Sequence, residues 1–203
     1  GKLSHYPSRP EGMSDRLYNL GYLGASNSNI GLGYASIVFL TIHGYMADED
    51  PSNIDRVGHR RWILSPYLPE VGFGYYNLGT VMYVIAENYQ KDIPYYETIK
   101  LPVEGIMPQE LFADNAPWSI YLNSKDYVAA IEKLKVKFTI NGELIELTKA
   151  NKKDFYLDRS NFSYSSPTLI FRSNEIREIQ YGDCYDVEIT GLTDKAGNPK
   201  KIQ

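Results

Sequence analysis

The sequence predicts an α+β chain in two parts, a first part that mixes short helices with strands and a second part built from strands alone. Three observations carry this. Up to about Asn88 short apolar-periodic runs are punctuated by glycine; from residue 93 to 115 prolines interrupt the chain; beyond that, short alternating runs recur between turn signals. The predicted divisions are residues 1–92, a linker at 93–115, and a β-sandwich of immunoglobulin-like type at 116–203.

Ser14 and Asp15 predict the cap of a short helix through Arg16, Leu17, Tyr18 and Leu20, with Gly21 as its stop. A longer helix begins near Ser36. There Ile37, Phe39, Leu40, Ile42, Tyr45 and Met46 make a broad apolar face, and Pro51 forbids continuation past Asp48 or Glu49. Residues 59–64 predict a third short helix closed by Pro66, and residues 71–76 and 80–86 predict strands joined around Asn77-Leu78-Gly79. Pro94, Pro102 and Pro108 prevent a helix in the linker. Residues 134–140 and 143–147 alternate on either side of Asn141-Gly142, the pairing expected of a tight hairpin. Residues 168–171, 184–190 and 202 onward continue the strand series, and Trp118 opens an alternating run as a core anchor.

An apolar content of 43% supports a real core, and a formal charge of −4 with scattered basic residues excludes a nucleic-acid surface. Lys133, Lys135 and Lys137 alternate with Leu134, Val136 and Phe138, the pattern of a strand wet on one face. Cys184 stands alone, so neither an internal disulfide nor a cysteine-based metal cluster is expected. No apolar run approaches the roughly eighteen residues of a membrane span. Eighteen tyrosines against seven phenylalanines fit an extracellular protein or, equally, A·T-rich coding.

With three histidines in the chain, any imidazole-based site draws on His5, His43 and His59. His59 follows Gly58, where the backbone can turn sharply and present the ring to a cleft. His5 and His59, with Asp48, Glu49 and Asp50 closing the long helix, form the inventory of a small divalent-metal or acid–base site. Arg60 and Arg61 are placed to pair with Asp48, Glu49 or Asp55, and His43 reads as a helix-surface or structural residue. Asn27 and Asn29 read as the holders of a tight turn.

Five elements in order, Ser4-His5-Tyr6-Pro7, Ser28-Asn29-Ile30, Tyr45-Met46-Ala47-Asp48, Gly58-His59-Arg60-Arg61-Trp62-Ile63-Leu64-Ser65-Pro66 and Val71-Gly72-Phe73-Gly74, resemble the CAP superfamily of cysteine-rich secretory, antigen and pathogenesis-related proteins in its bacterial, SCP-like form. The resemblance implies an α-β-α sandwich around an antiparallel sheet, with a cleft lined by two histidines and two acids. Position by position these fall on His5, His59 and Asp48, with Ser28 where the second acid is expected. The implied cleft comprises His5, Ser28, Asn29, Asp48, His59 and Arg60. A Zn²⁺ or another divalent cation would be held weakly by His5, His59 and Asp48. The family also places a helix ahead of the first histidine, where this sequence begins, which implies an incomplete first layer and an apolar face for oligomer contact.

The function implied is that of a secreted or cell-surface protein whose cleft takes a small ligand, a lipid or a cell-surface component, with binding favoured over turnover. A metal-dependent hydrolase or protease, using His5, His59 and Asp48 on the metal and Glu49 as base, is the enzymatic alternative. An adhesion or cell-wall module with a vestigial cleft is the structural one.

Overall fold

A computed structural model of the chain describes residues 3–86, 88, 92–147, 155–159, 167–172 and 178–203. The Ser14 hydroxyl accepts from the Leu17 N–H at 3.4 Å and starts α1, Asp15–Ser26. This helix passes the predicted stop at Gly21 and also Gly24, each a cost of about 1 kcal/mol that a helix tolerates. It buries no residue completely, and Leu17, Leu20 and Leu23 stay exposed.

Directly after it, β1 (Ser28–Leu32) pairs antiparallel with β3 (Gly79–Tyr83), and β3 pairs with β2 (Gly72–Tyr76), giving a three-stranded sheet in the order β1-β3-β2. The expected turn at Asn27 and Asn29 is therefore the entry to a strand. Between β2 and β3, Asn77 (φ 45°) and Leu78 (φ 63°) both take the left-handed conformation, as a two-residue hairpin turn demands.

Ser36 caps α2, Ile37–Leu40, through the Phe39 N–H at 3.3 Å; the helix then widens into a π-helical turn, Thr41–Met46. Gly44 lies in that turn with Leu40 pressed against it: a Cβ there would meet Leu40 Cδ1 at 2.5 Å. Leu40 and Tyr45 pack with Met82 and Val84 of the sheet side, so the widened turn sits on the three-stranded sheet. After a loop comes α3, Gly58–Ile63.

The second half contains β4 (Thr98–Leu101), β5 (Trp118–Leu122), β6 (Lys135–Ile140), β7 (Glu143–Leu147), β8 (Phe155–Asp158), β9 (Thr168–Phe171), β10 (Tyr185–Thr193) and β11 (Pro199–Ile202). They form two antiparallel four-stranded sheets, β4-β5-β9-β8 and β11-β10-β6-β7. Ile120, Leu122, Leu169 and Phe171 of one sheet and Val136, Phe138, Ile140, Ile189 and Ile202 of the other share one core. Lys135 and Lys137 face water while Val136 and Phe138 are buried, as the alternation predicts. Trp118 is enclosed by Phe112, Phe138, Phe171 and Tyr185, with ring centroids 5.1 to 6.1 Å away, and is a packing residue.

These sheets overturn the expected fold class. Strand is the main element among the described residues, in three antiparallel sheets, and the chain does not form the α-β-α sandwich that the resemblance implies. The physical reason lies in the helices: α1 has no buried face to form a layer, α2 is four residues before it widens, and α3 is six residues long. Within the stretch expected as an extended linker, Thr98–Leu101 is an edge strand paired with β5. Among the described residues no helix is long and apolar enough to cross a membrane.

Candidate functional site

Two residues beyond the π-turn, Asp48 has a left-handed φ of 50°, and its N–H reaches the Gly44 carbonyl at 2.9 Å. Val57, immediately before α3, has φ 43°, a conformation that a β-branched residue adopts only when its surroundings impose it. These two strained points turn the chain so that the end of one helix faces the start of the next. Asp48 Oδ1 then lies 2.8 Å from His59 Nδ1, and Oδ2 accepts the Arg60 N–H at 3.1 Å. Asn53 also donates its amide to Oδ1, and its own carbonyl oxygen accepts the Gly58 N–H at 3.2 Å.

Asp48 Oδ1 and the Asn53 amide nitrogen both stand at hydrogen-bond distance from Nδ1 (2.8 and 2.9 Å), so that side of the ring is held by the acid and the amide while Nε2 lies on the other side of the ring. The Asp48 side chain is 1% exposed and that of His59 is 35% exposed. Asp48 is thus the buried partner, and His59 is the member that meets solvent. The ring is fixed from two more directions: Tyr45 lies 5.3 Å away, centroid to centroid, and Asn29 Nδ2 donates to the His59 carbonyl at 3.0 Å. Tyr45 is itself anchored, donating to the carbonyls of Asn29 (3.1 Å) and Thr80 (3.3 Å). Burial pushes its hydroxyl up to about 12.

His59 opens onto a cleft of about 610 Å³ whose wall includes Tyr34, His43, Tyr45, Asp48, Glu49 and Asp50 from the first half, and Asn115 and Arg172 from the second. Glu49 and Asp50 stand exposed at the rim. Asp50 is folded onto the Ser52 N–H (2.8 Å) and hydroxyl (2.5 Å), and these bonds hold its carboxyl below the usual range.

Of the residues expected in the cleft, Asp48 and His59 line it together. Asn29 and Arg60 stand behind them as supports. The Ser28 hydroxyl, buried, donates to the Gly24 carbonyl at 2.5 Å, and His5 Nδ1 contacts the Ala25 carbonyl at 2.9 Å on the exposed side of α1; neither lines the cleft. The imidazole that joins His59 on the wall is His43, placed there by the π-turn. Asn53, Tyr45 and Arg172 were not legible as site residues, because only tertiary contact gives them a role.

Arg60 does not form a carboxylate pair through its side chain. The guanidinium is 0% exposed and donates to the carbonyls of Met46 (2.6 Å), Ala47 (2.8 Å) and Pro117 (2.6 Å) and to the Ser119 hydroxyl (3.0 Å). Arg61, equally buried, pairs with Asp158 of β8. Burial lowers the pKa of both guanidinium groups, and the nearby charges of Asp48 and Asp158 oppose this.

The donor set does not fit a divalent cation held by His5, His59 and Asp48 together. Both Asp48 oxygens already accept hydrogen bonds, the Nδ1 side of His59 is turned onto Asp48, and His5 is outside the cleft. Among the described residues no group of three or more His, Cys, Asp or Glu side chains is arranged to hold a metal ion. What the arrangement offers chemically is a fixed, partly exposed imidazole, which accepts a proton or, once protonated, donates one. No family model, no curated protein and no solved structure matches this chain.

Proposed function

We propose that the chain is a binding protein whose cleft holds a small polar ligand against the His59 ring. The observation that carries the reading is the 2.8 Å contact of His59 Nδ1 with the buried Asp48, which orients the ring and leaves Nε2 for a ligand. Two further features support binding over turnover. Among the described residues lining the cleft there is no serine, threonine or cysteine to act as a nucleophile, and the Tyr45 hydroxyl is committed to two backbone carbonyls. A secreted or cell-surface setting, and a relation to the CAP superfamily resting on the ordered motifs alone, belong to the same proposal.

The test is an imidazole and amide NMR titration of the intact chain with a set of small carboxylates, amines, sugars and a lysolipid. Saturable shifts at His59 and its cleft neighbours, abolished in His59→Ala while the remaining spectrum is retained, are expected. A folded protein whose His59 signals respond to none of these compounds overturns the reading.

The Asp48–His59 hydrogen bond also favours a second reading, a metal-independent hydrolase in which His59 Nε2 draws a proton from water as it attacks a bound ester or amide. Its sign is hydrolysis of a model ester above the buffer rate, lost in His59→Ala and indifferent to chelators.

A further inference from the structure

We propose that the chain forms a two-fold dimer in which β2 pairs with β2 of a second copy. β2 is an edge of the first sheet, hydrogen-bonded to β3. Asn77 and Leu78 are both left-handed, so the pair that closes their turn, Tyr76 with Gly79, exchanges both backbone hydrogen bonds. Alternation along the strand then turns the backbone groups of Gly72, Gly74 and Tyr76 towards β3, and the N–H and C=O of Phe73 and Tyr75 outward. Among the described residues, none outside the sheet hydrogen-bonds to Phe73 or Tyr75. The side chains are open as well: Phe73 is 57%, Tyr75 51% and Tyr76 79% exposed.

Unpaired backbone groups along an edge call for another strand, and folded proteins guard such edges with charges, prolines or cover. The described edges of the sandwich carry charges: Lys100 in β4, Glu143 in β7, Asp158 in β8, Lys200 and Lys201 in β11. β1, the far edge of the first sheet, lies under the π-turn, where Leu40 abuts Gly31 and the Tyr45 hydroxyl donates to the Asn29 carbonyl. β2 has neither guard, and no residue from Val71 to Ala86 is charged.

The sequence of β2 makes the second copy its complement. Antiparallel pairing about Gly74 sets Phe73 opposite Tyr75 of the second copy, and Gly72 opposite Tyr76 of the second copy. Phe73 and Tyr75 then exchange their outward backbone bonds, with aromatic against aromatic on the face that they share with Met82 and Thr80. On the opposite face each Tyr76 ring covers a glycine, which has no side chain to compete for the space. Like charges do not meet, because Glu70 falls opposite Leu78 of the second copy. A two-fold pairing also closes, since each copy uses its unguarded edge on the other.

The experiment is sedimentation velocity on the full chain from about 5 µM to about 500 µM, the range of a small reversible interface. Reductant is present because Cys184 is exposed. A concentration-dependent equilibrium of monomer and dimer is expected. Phe73→Lys and Tyr75→Lys, both at exposed side chains, should weaken it about tenfold or more. Tyr181→Lys, at a 97% exposed tyrosine of the second half, should leave it unchanged. Hydrogen exchange of the wild-type chain reads the register without any variant: the Phe73 and Tyr75 amides gain protection as concentration rises, while those of Gly74 and Tyr76 are protected throughout. A chain that is monomeric at every concentration overturns the proposal. So does a dimer that both lysine variants leave intact, or one in which the Phe73 and Tyr75 amides exchange as in the monomer. Oligomers that grow past the dimer overturn the two-fold closure. A monomer whose Phe73 and Tyr75 amides are protected only by an added β-strand peptide of unrelated sequence assigns the edge to another partner and overturns the second copy as its occupant.

Discussion

Arg60 donates from Nη1 to the carbonyl of Pro117 at 2.6 Å, a bond that runs from the helix carrying His59 to the residue before β5. Its guanidinium fills the seam between the two halves of the chain and is answered there by three carbonyls and a hydroxyl. The same residue supports the site through its backbone, since its N–H holds Asp48 Oδ2. One residue therefore fixes both the junction of the halves and the acid that orients the histidine.

Arg60→Ala should destabilise the chain by about 3–5 kcal/mol, because several buried acceptors lose their donor at once. Arg60→Lys should recover little of this, since an ammonium group cannot span acceptors on both sides of the seam as the planar fork does. Urea unfolding followed by tryptophan fluorescence measures both; a lysine variant as stable as the wild type would contradict the assigned role.

Asp48→Asn should fold, because asparagine tolerates the left-handed backbone that Asp48 adopts. The loss of charge should cost about 1–3 kcal/mol. It should also change the hydrogen bonding at Nδ1, seen as a shift in the two ¹⁵N resonances of the His59 imidazole. An unchanged pattern would mean that Asp48 does not hold Nδ1.

Tyr45 gives the protein an alkaline limit. Its hydroxyl, pushed up to about 12 in the folded state, keeps its proton where the unfolded chain, with an ordinary value of about 10, has lost it. Its contribution is therefore complete below pH about 10 and falls as pH rises towards about 12, at up to about 1.4 kcal/mol per pH unit. Burial pushes the Tyr121 hydroxyl up as well and adds to the slope. Tyr45→Phe should make the decline in unfolding free energy between pH 9.5 and 11.5 shallower by roughly this one-group amount; an unaltered slope would count against it.

Gly191→Ala should be among the costliest small changes in the sandwich. Gly191 sits at a register shift in β10 with φ 84°, and a Cβ there would lie 1.9 Å from the Lys133 carbonyl oxygen. Backbone atoms cannot rotate away as a side chain can, so a loss on the order of 3 kcal/mol is expected in thermal or urea unfolding. The same change at Gly142, whose surroundings are open, should cost less even though its φ is 86°.

The second half was the more legible in sequence, because residues such as Lys135, Val136, Lys137 and Phe138 record one wet and one dry face at every step. Asn141 (φ 51°) and Gly142 occupy the left-handed turn that their identities announce. β1 was hidden because its first residues, Ser28 and Asn29, are polar and nonetheless buried, satisfied by the Gly24 and His59 carbonyls. β4 was hidden because Pro94 and Pro102 flank it, which an edge strand permits. At the site, Asp48 and His59 were legible as a pair of residue types, while His5 is held away at the Ala25 carbonyl and His43 arrives through the π-turn, which no spacing rule marks.

The buried arginine pair also bears on engineering. Arg60 and Arg61, adjacent in α3, reach Pro117, Ser119 and Asp158 across the seam, so a cut in the stretch between residues 92 and 116 would leave two cations on one fragment and these three partners on the other. The halves are not interchangeable cassettes: a foreign partner grafted onto either would have to reproduce the same acceptors at the same places.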